Sequence, residues 1–244
     1  MAGSTKSVVI TQPMLFPWVG LLEQIKLADI VVFYDDVQFS KGSFVNRVQL
    51  KMSDTPQWLT VPLKKFKLGT PINMVEPSSH MDWREHHKIL ITESLGTSLH
   101  FEHALSLIEN VCNDTQLMTI SDIAKKSMLS VIEYFGLSEG KKFIDIDALD
   151  ISGSGSERVL DIVKKLGADN YITGHGASNY LNHHAFENEG IQVRYMNYMC
   201  EPYPQLYGAF TPYVTSLDLV ANVGAEGRRF ICSKTKCWRD FLNE

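Results

Sequence analysis

Ser7-Val8-Val9-Ile10-Thr11-Gln12-Pro13 is a short β-branched run that stops at a proline. Valine and isoleucine fit a pleated, half-buried backbone, whereas Pro13 cannot donate to a strand ladder and restrains the residue before it. Trp18 to Ala28 then carries Val19, Leu22, Ile25 and Leu27 close to helical spacing. After Asp29 comes Ile30-Val31-Val32-Phe33-Tyr34, a continuous run of strand length. A run of that kind suits a strand covered on both faces, and two such strands around a helix make a βαβ unit.

Working outward, Phe44-Val45 and Trp58-Leu59-Thr60-Val61, bounded by Pro56 and Pro62, read as further strands within 43–63. Residues 81–137 change character. Ile108, Val111, Ile123, Met128, Leu129, Ile132 and Phe135 form buried helical stripes, and Gly136 is a stop signal. From Phe143-Ile144-Asp145-Ile146 the alternation returns, through Gly153-Ser154-Gly155-Ser156 into a helix over Glu157 to Leu166. Asn170-Tyr171-Ile172-Thr173 and Ile191-Gln192-Val193-Arg194-Tyr195 are the last predicted strands. The pattern predicts one α/β domain over 1–244, with a mostly parallel sheet, flanking helices and a helical subdomain inserted at about 81–137. In such sheets ligands sit beyond the carboxyl ends of the strands. The polar clusters fall there: Gln12, Asp35-Asp36, Ser152 to Ser156, and Gly174 to Asn179.

Composition narrows the function classes. With 44% hydrophobic and 21% charged residues the chain is in the ordinary globular range, which argues against long disorder. No apolar run approaches the roughly 18 residues a bilayer span requires. Met1 to Lys6 lack the apolar core of a secretion signal, and Met1 to Ser4 has the character of an expression scar. A net charge of −5 gives no footprint for duplex nucleic acid, although a local basic groove is compatible with it. Cys112, Cys200, Cys232 and Cys237 form neither a CxxC pair nor metal spacing, so they read as reduced thiols of a cytoplasmic protein with no metal.

Several segments could carry chemistry. Thr11 to Gly20 holds two prolines and Trp18 in a stiff loop, and the helix that follows could receive an anion. Gln12 has no packing reason to be there, while Phe16 and Trp18 suit core and function equally. Asp35 and Asp36 end a buried strand, where paired carboxylates can hold Mg²⁺, accept a proton, or bind sugar hydroxyls and amines; a turn cap is the alternative role for one of them. Gln38, Asn46 and Arg47 follow, and arginine suits phosphate or carboxylate by a bidentate contact. Gly153 to Arg158 opens a helix with small residues, so Ser154, Ser156 and Arg158 suit an anion cradle or an ordinary capped helix. That loop lacks the Walker lysine and the GxGxxG spacing. Gly174-His175-Gly176, with Asn179 and Tyr180 close behind, brings backbone near a ligand and makes His175 the best acid/base candidate. His86-His87, His100 with His103, and His183-His184 read as polar helix faces more readily than as zinc sites.

The chain resembles the WbqC-like family of bacterial surface-polysaccharide gene clusters over nearly its whole length. The resemblance rests on Gln12-Pro13, Pro17-Trp18-x-Gly20, Ala28-Asp29, Asp35-Asp36-Val37-Gln38-Phe39, Asn46-Arg47 and Trp58-Leu59-Thr60-Val61-Pro62. It continues through Trp83-Arg84 with His87, Ser156-Glu157-Arg158-Val159-Leu160, Gly167-Ala168-Asp169, Gly174-x-Gly176-Ala177, Tyr180-Leu181, Tyr203-Pro204-Gln205 and Ser216-Leu217-Asp218. His175 stands where the family commonly has proline, and Asn182 where an acid is common after Tyr-Leu. The first fifty residues also resemble pantothenate synthetases and related nucleotidylyltransferases. Those carry a His-x-Gly-His turn where this chain has Phe16-Pro17-Trp18-Val19-Gly20, so the shared layout implies a Rossmann-like, nucleotide-binding fold without their phosphate-stabilising histidines.

The family resemblance implies an enzyme of O-antigen or capsule biosynthesis acting on a nucleotide-linked amino sugar, with acyl or aminoacyl transfer to the sugar amine. Asp35 or Asp36 would orient the ammonium and remove its proton, and Arg47, Arg158 and the 153–156 loop would hold the diphosphate. Gln12 and Asn179 would meet sugar hydroxyls or the acyl carbonyl, and amides near Gly174 and Gly176 the oxyanion. No Ser or Cys triad is apparent, so direct attack by the amine is expected. The donor would be a coenzyme A thioester, a carrier protein or an aminoacyl-tRNA, and the chain could form a homo-oligomer. Two alternatives remain at this level: a sugar-binding module in which Trp18, Trp58 and Tyr180 stack on the ligand, and ATP-dependent activation at a nucleotidylyltransferase-like site.

Overall fold

The computed structural model describes residues 5–53 and 55–243; the candidate scar Met1 to Ser4 lies outside the described residues. The strands are β1 (Ser7–Thr11), β2 (Ile30–Phe33), β3 (Arg47–Leu50), β4 (Gln57–Thr60), β5 (Lys142–Asp145), β6 (Asn170–Thr173), β7 (Gln192–Asn197) and β8 (Lys234–Cys237). The helices are α1 (Val19–Lys26), α2 (Trp83–Leu95), α3 (Phe101–Cys112), α4 (Ile120–Tyr134), α5 (Gly155–Lys165), α6 (His183–Asn188), α7 (Ser216–Val223) and α8 (Trp238–Leu242). Six strands form the main sheet in the order β5-β2-β1-β6-β7-β8, parallel except for the last pair.

That order follows from burial. Val8, Val9, Val31 and Val32 are completely buried, so β1 and β2 must lie inside the sheet with helices on both faces. Val9, Val31, Phe33, Ile172 and Met196 belong to one apolar cluster, shared with α1, α4 and α7. Their neighbours Val8, Ile10, Ile30, Val32, Tyr171, Val193 and Tyr195 belong to a second, shared with α5, α6 and α8. The period of two along each strand therefore builds three layers. Burying each such side chain contributes roughly 1.5–3 kcal/mol.

The chain moves outward from β1 to β2 and β5, then returns to β6 on the other side of β1. Between β1 and β6 successive connections leave toward opposite faces, and this topological switch point opens a crevice at the strand ends. Helix α4 completes the long β2-to-β5 crossover, its start fixed by a reciprocal capping box between Thr119 and Asp122. Helices α2 and α3 share α4's apolar cluster through Leu95 and Ile108, as does the β3–β4 hairpin through Leu50 and Leu59.

Two local readings differ from the structure. Phe44-Val45 precedes β3 without being a strand, and β3 and β4 form an antiparallel sheet of their own. β8 carries the sequence Lys-Thr-Lys-Cys, which has no apolar run, because an edge strand is covered on fewer sides and is held by its ladder to β7.

Candidate functional site

A cavity of about 550 Å³ lies at the carboxyl ends of β1 and β2, below the start of α5. Gln12, Tyr34, Asp36, Gln38, Gly153, Ser154, Gly155, Arg158 and Tyr180 supply its polar wall, with Ile10, Val37 and Val159 as its apolar floor. Each group arrives for a local reason. Gln12 sits where Pro13 ends β1, Asp36 where the buried run of β2 meets solvent, and Tyr180 in the turn leaving β6. Gly153 (φ 101°) and Gly155 (φ 63°) hold left-handed backbone that a side chain would strain, and so turn the chain into α5. Ser154 is the N-cap of α5 but its side chain makes no capping bond, leaving first-turn amides and the positive dipole end available at the cavity.

Arg158 and Asp36 form a two-pronged ion pair at 2.9 Å and 2.5 Å. The same guanidinium donates twice to the Ile151 carbonyl, at 3.0 Å from Nε and 2.8 Å from Nη2, and reaches the Tyr34 hydroxyl at 3.4 Å. All five of its N–H groups are thereby engaged. Arg158 is buried, and its charge and hydrogen bonds to Asp36 hold it protonated. Its guanidinium also lies 5.0 Å from the Tyr34 ring centre. A neighbouring cavity of about 440 Å³, lined in part by Asp147, Asp150 and Ser152, shares this pair. Arg158 thus serves to fix Asp36, and leaves the cavity's anion-binding capacity to the α5 amides.

Asp35 points the other way. It is 2% exposed, accepts from Ser121 Oγ at 2.5 Å, and pairs with Lys125 at 2.7 Å. Lys125 also bridges to Asp145 at the end of β5, so Asp35 ties β2 to α4 and β5. Just past the end of β2, two consecutive aspartates have separated into a cavity group and a packing group.

Other candidate residues lie elsewhere. His175 Nε2 is 2.7 Å from the Met196 carbonyl, which can only accept, so Nε2 carries the proton and Nδ1 is the open acceptor. Its ring packs against Tyr198 and Phe241 and does not line the cavity. Gly174, Gly176 and Asn179 also lie outside the lining; a Cβ on Gly174 would come within 3.2 Å of the Tyr198 hydroxyl. Ser156 Oγ accepts from the Asn182 amide at 2.8 Å and so pins the β6–α6 loop to α5. Trp18 folds across the first turn of α1, where a Cβ on Gly20 would fall 2.1 Å from the indole. Asn46 is buried and exchanges two bonds with Val61 at the hairpin end. Arg47 bonds Gly42 and stacks on Trp58, so it does not share the Arg158 cavity.

Tyr34 was visible only as the end of an apolar run, and its hydroxyl was the signal to notice. Two buried acids, Glu23 and Asp218, were not among the candidate site residues. Glu23, 1% exposed on α1, has both carboxylate oxygens buried without a hydrogen-bond partner, and burial pushes it up to about 7 despite Ser233 and the Cys200 amide nearby. Asp218 on α7 is pushed up to about 6 by burial beside Tyr203, Gln205 and Lys51. Lys51 is itself buried, and donates to the Ala209 carbonyl and to Gln205.

No helix among the described residues is long and apolar enough to cross a membrane. No solved structure matches the chain. A protein of Mycobacterium tuberculosis, the uncharacterized Rv1507c, is 26% identical over 230 residues, covering 93% of this chain and 97% of that one. The family model for WbqC-like proteins matches residues 12–230, from the cavity's Gln12 through the last turn before β8. The chain therefore belongs to the WbqC-like protein family.

Proposed function

We propose that the chain is an enzyme of surface-polysaccharide biosynthesis that binds a nucleotide-linked amino sugar in the Gln12–Asp36 cavity and transfers an acyl or aminoacyl group to the sugar amine. The observation that carries this reading is the juxtaposition of a fixed carboxylate, Asp36, with the open amides of α5 at a topological switch point. The amides meet the diphosphate, and Asp36 meets the amine. Gln12, Gln38 and Tyr180 contact sugar hydroxyls from the cavity wall.

In this reaction Asp36 takes a proton from the bound ammonium, the resulting neutral amine attacks the acyl carbonyl, the bond to the donor's carrier breaks, and the amine's second surplus proton goes to the departing carrier. Arg158 positions Asp36, leaving the outward lone pairs of the carboxylate for the ammonium. Incubation with nucleotide amino sugars and acyl donors, read by mass spectrometry, tests this reading. It requires a mass gain on the sugar that Asp36→Asn abolishes and Asp35→Asn retains. Pyrophosphate release from ATP would instead indicate adenylylation.

One observation favours a second reading. The Arg158–Asp36 pair is already satisfied, and a satisfied pair suits a binding module that holds a sugar without transforming it. Nucleotide-sugar binding without any mass gain across the donor panel selects that reading.

A further inference from the structure

A second cavity, of about 500 Å³, lies beside the β3–β4 hairpin and is lined in part by Phe39, Lys41, Asn46, Lys64, Lys65 and Phe66. Among the described residues no carboxylate lines it. Among the described residues Lys41, Lys65 and the adjacent Lys67 have no ion-pair partner, whereas Lys64 pairs with Glu76 at 2.5 Å. Between Gln38 and Lys67 the sequence holds six cationic side chains and one acid, Asp54, in a chain whose net charge is −5. The concentration of positive charge is therefore local. It attracts anions where the rest of the surface repels them.

The cavity also offers π faces. Phe66 is half-buried, packed edge-on against Phe39 at 5.3 Å, with the Lys41 ammonium 5.8 Å from its ring centre. Next to it Arg47 lies 4.1 Å above the Trp58 ring, and Phe44 and Trp58 are both exposed. Cations beside aromatic faces recognise a phosphorylated base: ammonium groups meet the phosphates, and the rings stack on the heterocycle. The volume is within the range of small-molecule sites.

We infer that this hairpin cavity binds a phosphorylated aromatic nucleotide, a nucleoside diphosphate or bisphosphate. The segment joining the two cavities is short: Val37 and Gln38 line the first, Phe39 the second. Under the transfer reading the nucleotide belongs to the acyl donor, whose reactive end then reaches the first cavity. The binding itself does not depend on that reading.

The probe is adenosine 3′,5′-bisphosphate, titrated into the full chain by calorimetry at low and physiological salt. Saturable binding that weakens with salt and is lost with unphosphorylated adenosine is expected. Lys41→Ala with Lys65→Ala should weaken it at least about tenfold, since each charge-assisted phosphate contact supports a factor of that order. Gln12→Ala should leave bisphosphate affinity unchanged while weakening nucleotide-sugar binding, so a failure of the first site cannot be mistaken for a failure of the second. Circular dichroism confirms that the double variant folds; both lysines are exposed. Absence of bisphosphate binding at millimolar concentration overturns the inference. So does binding that Gln12→Ala removes and the lysine variant keeps, or binding of a single-stranded oligoribonucleotide alone.

Discussion

Arg158 and Arg47 look equivalent in the sequence, as two arginines that could close on one diphosphate, but they occupy different kinds of site. Arg158 is 7% exposed on α5, and every N–H it has is committed to Asp36, Ile151 or Tyr34. Arg47 is half-buried on the hairpin, bonds one carbonyl, and otherwise lies against an aromatic ring with no carboxylate partner among the described residues. The first region is assembled from loops after four separate strands and has its charges paired before any ligand arrives. The second comes from one stretch of chain and, among the described residues, leaves Lys41, Arg47 and Lys65 without an ion-pair partner. Preorganisation belongs to the sheet edge, electrostatic capture to the hairpin.

The largest test of this contrast is removal of each arginine. Arg158→Ala leaves Asp36 without its partner and takes away two donors from the Ile151 carbonyl. Breaking a buried pair from one side costs about 3–5 kcal/mol, whereas Arg47→Ala should stay within about 1 kcal/mol. Urea unfolding of the two variants measures both. Equal losses would erase the distinction between the regions.

The two regions should also differ in pH response. Glu23 is buried on α1, near enough to Tyr198 for its charge to add to the upward shift that burial gives that phenol. Burial raises Glu23 from an ordinary 4.5 to about 7. A raised folded value means the folded state binds the extra proton, so this stability is fully present below about 4.5 and is lost as pH rises through about 7. The loss amounts to about 3 kcal/mol across that window. Asp218, raised to about 6, adds in the same direction. Glu23→Gln should flatten the stability curve between those pH values. A slope unchanged in the variant would mean that the titrating group lies elsewhere.

Within the sheet-edge region the adjacent aspartates sharpen the contrast further. Asp36→Asn removes the group proposed to take the proton and should lower turnover about a hundredfold or more. Asp35→Asn should cost stability, roughly 1–3 kcal/mol, because a buried acceptor for Ser121 and Lys125 is weakened. Its turnover should remain near normal. If the two variants exchange these effects, the proton is handled on the α4 side of the sheet.

The readable parts of this molecule are those where one local rule dominates. Val8, Val9, Val31 and Val32 announce interior strands, and Gly153 and Gly155 announce a turn because left-handed backbone admits little else. Gln12, Asp36, Ser154 and Tyr180 could be singled out because each follows a strand, and they do line one cavity. What escaped was pairing at a distance. Nothing in Asp35-Asp36 says which member meets Lys125 and which meets Arg158, since those partners are 90 and 122 residues away. Glu23 reads as an ordinary acid in an amphipathic helix until Met199 to Ser233 fold over it. Lys64-Lys65-Phe66-Lys67 was not singled out, because Phe39 and Lys41 join it only through the fold.

The smallest effect should come from Arg47→Lys. Lysine keeps the charge, so long-range attraction of an anion to the hairpin persists. It loses the planar fork that lies on Trp58 and the Nε donor to the Gly42 carbonyl at 3.0 Å. At a half-exposed position the stacking contributes about 0.5–1 kcal/mol. The bond to Gly42 matters less for its energy than for shape: Gly42 has φ 81°, and a Cβ there would sit 3.1 Å from the guanidinium. The arginine therefore braces a turn that only glycine holds comfortably. The expected outcome is a stability loss of about 1 kcal/mol or less, with bisphosphate affinity reduced by no more than a few-fold. Arg158→Lys should be the harsher exchange, because one ammonium cannot meet both Asp36 oxygens and Ile151 in the fixed geometry of the guanidinium. If Arg47→Lys proves as damaging as Arg158→Lys, the hairpin site is preorganised as well, and the distinction between capture and preorganisation fails.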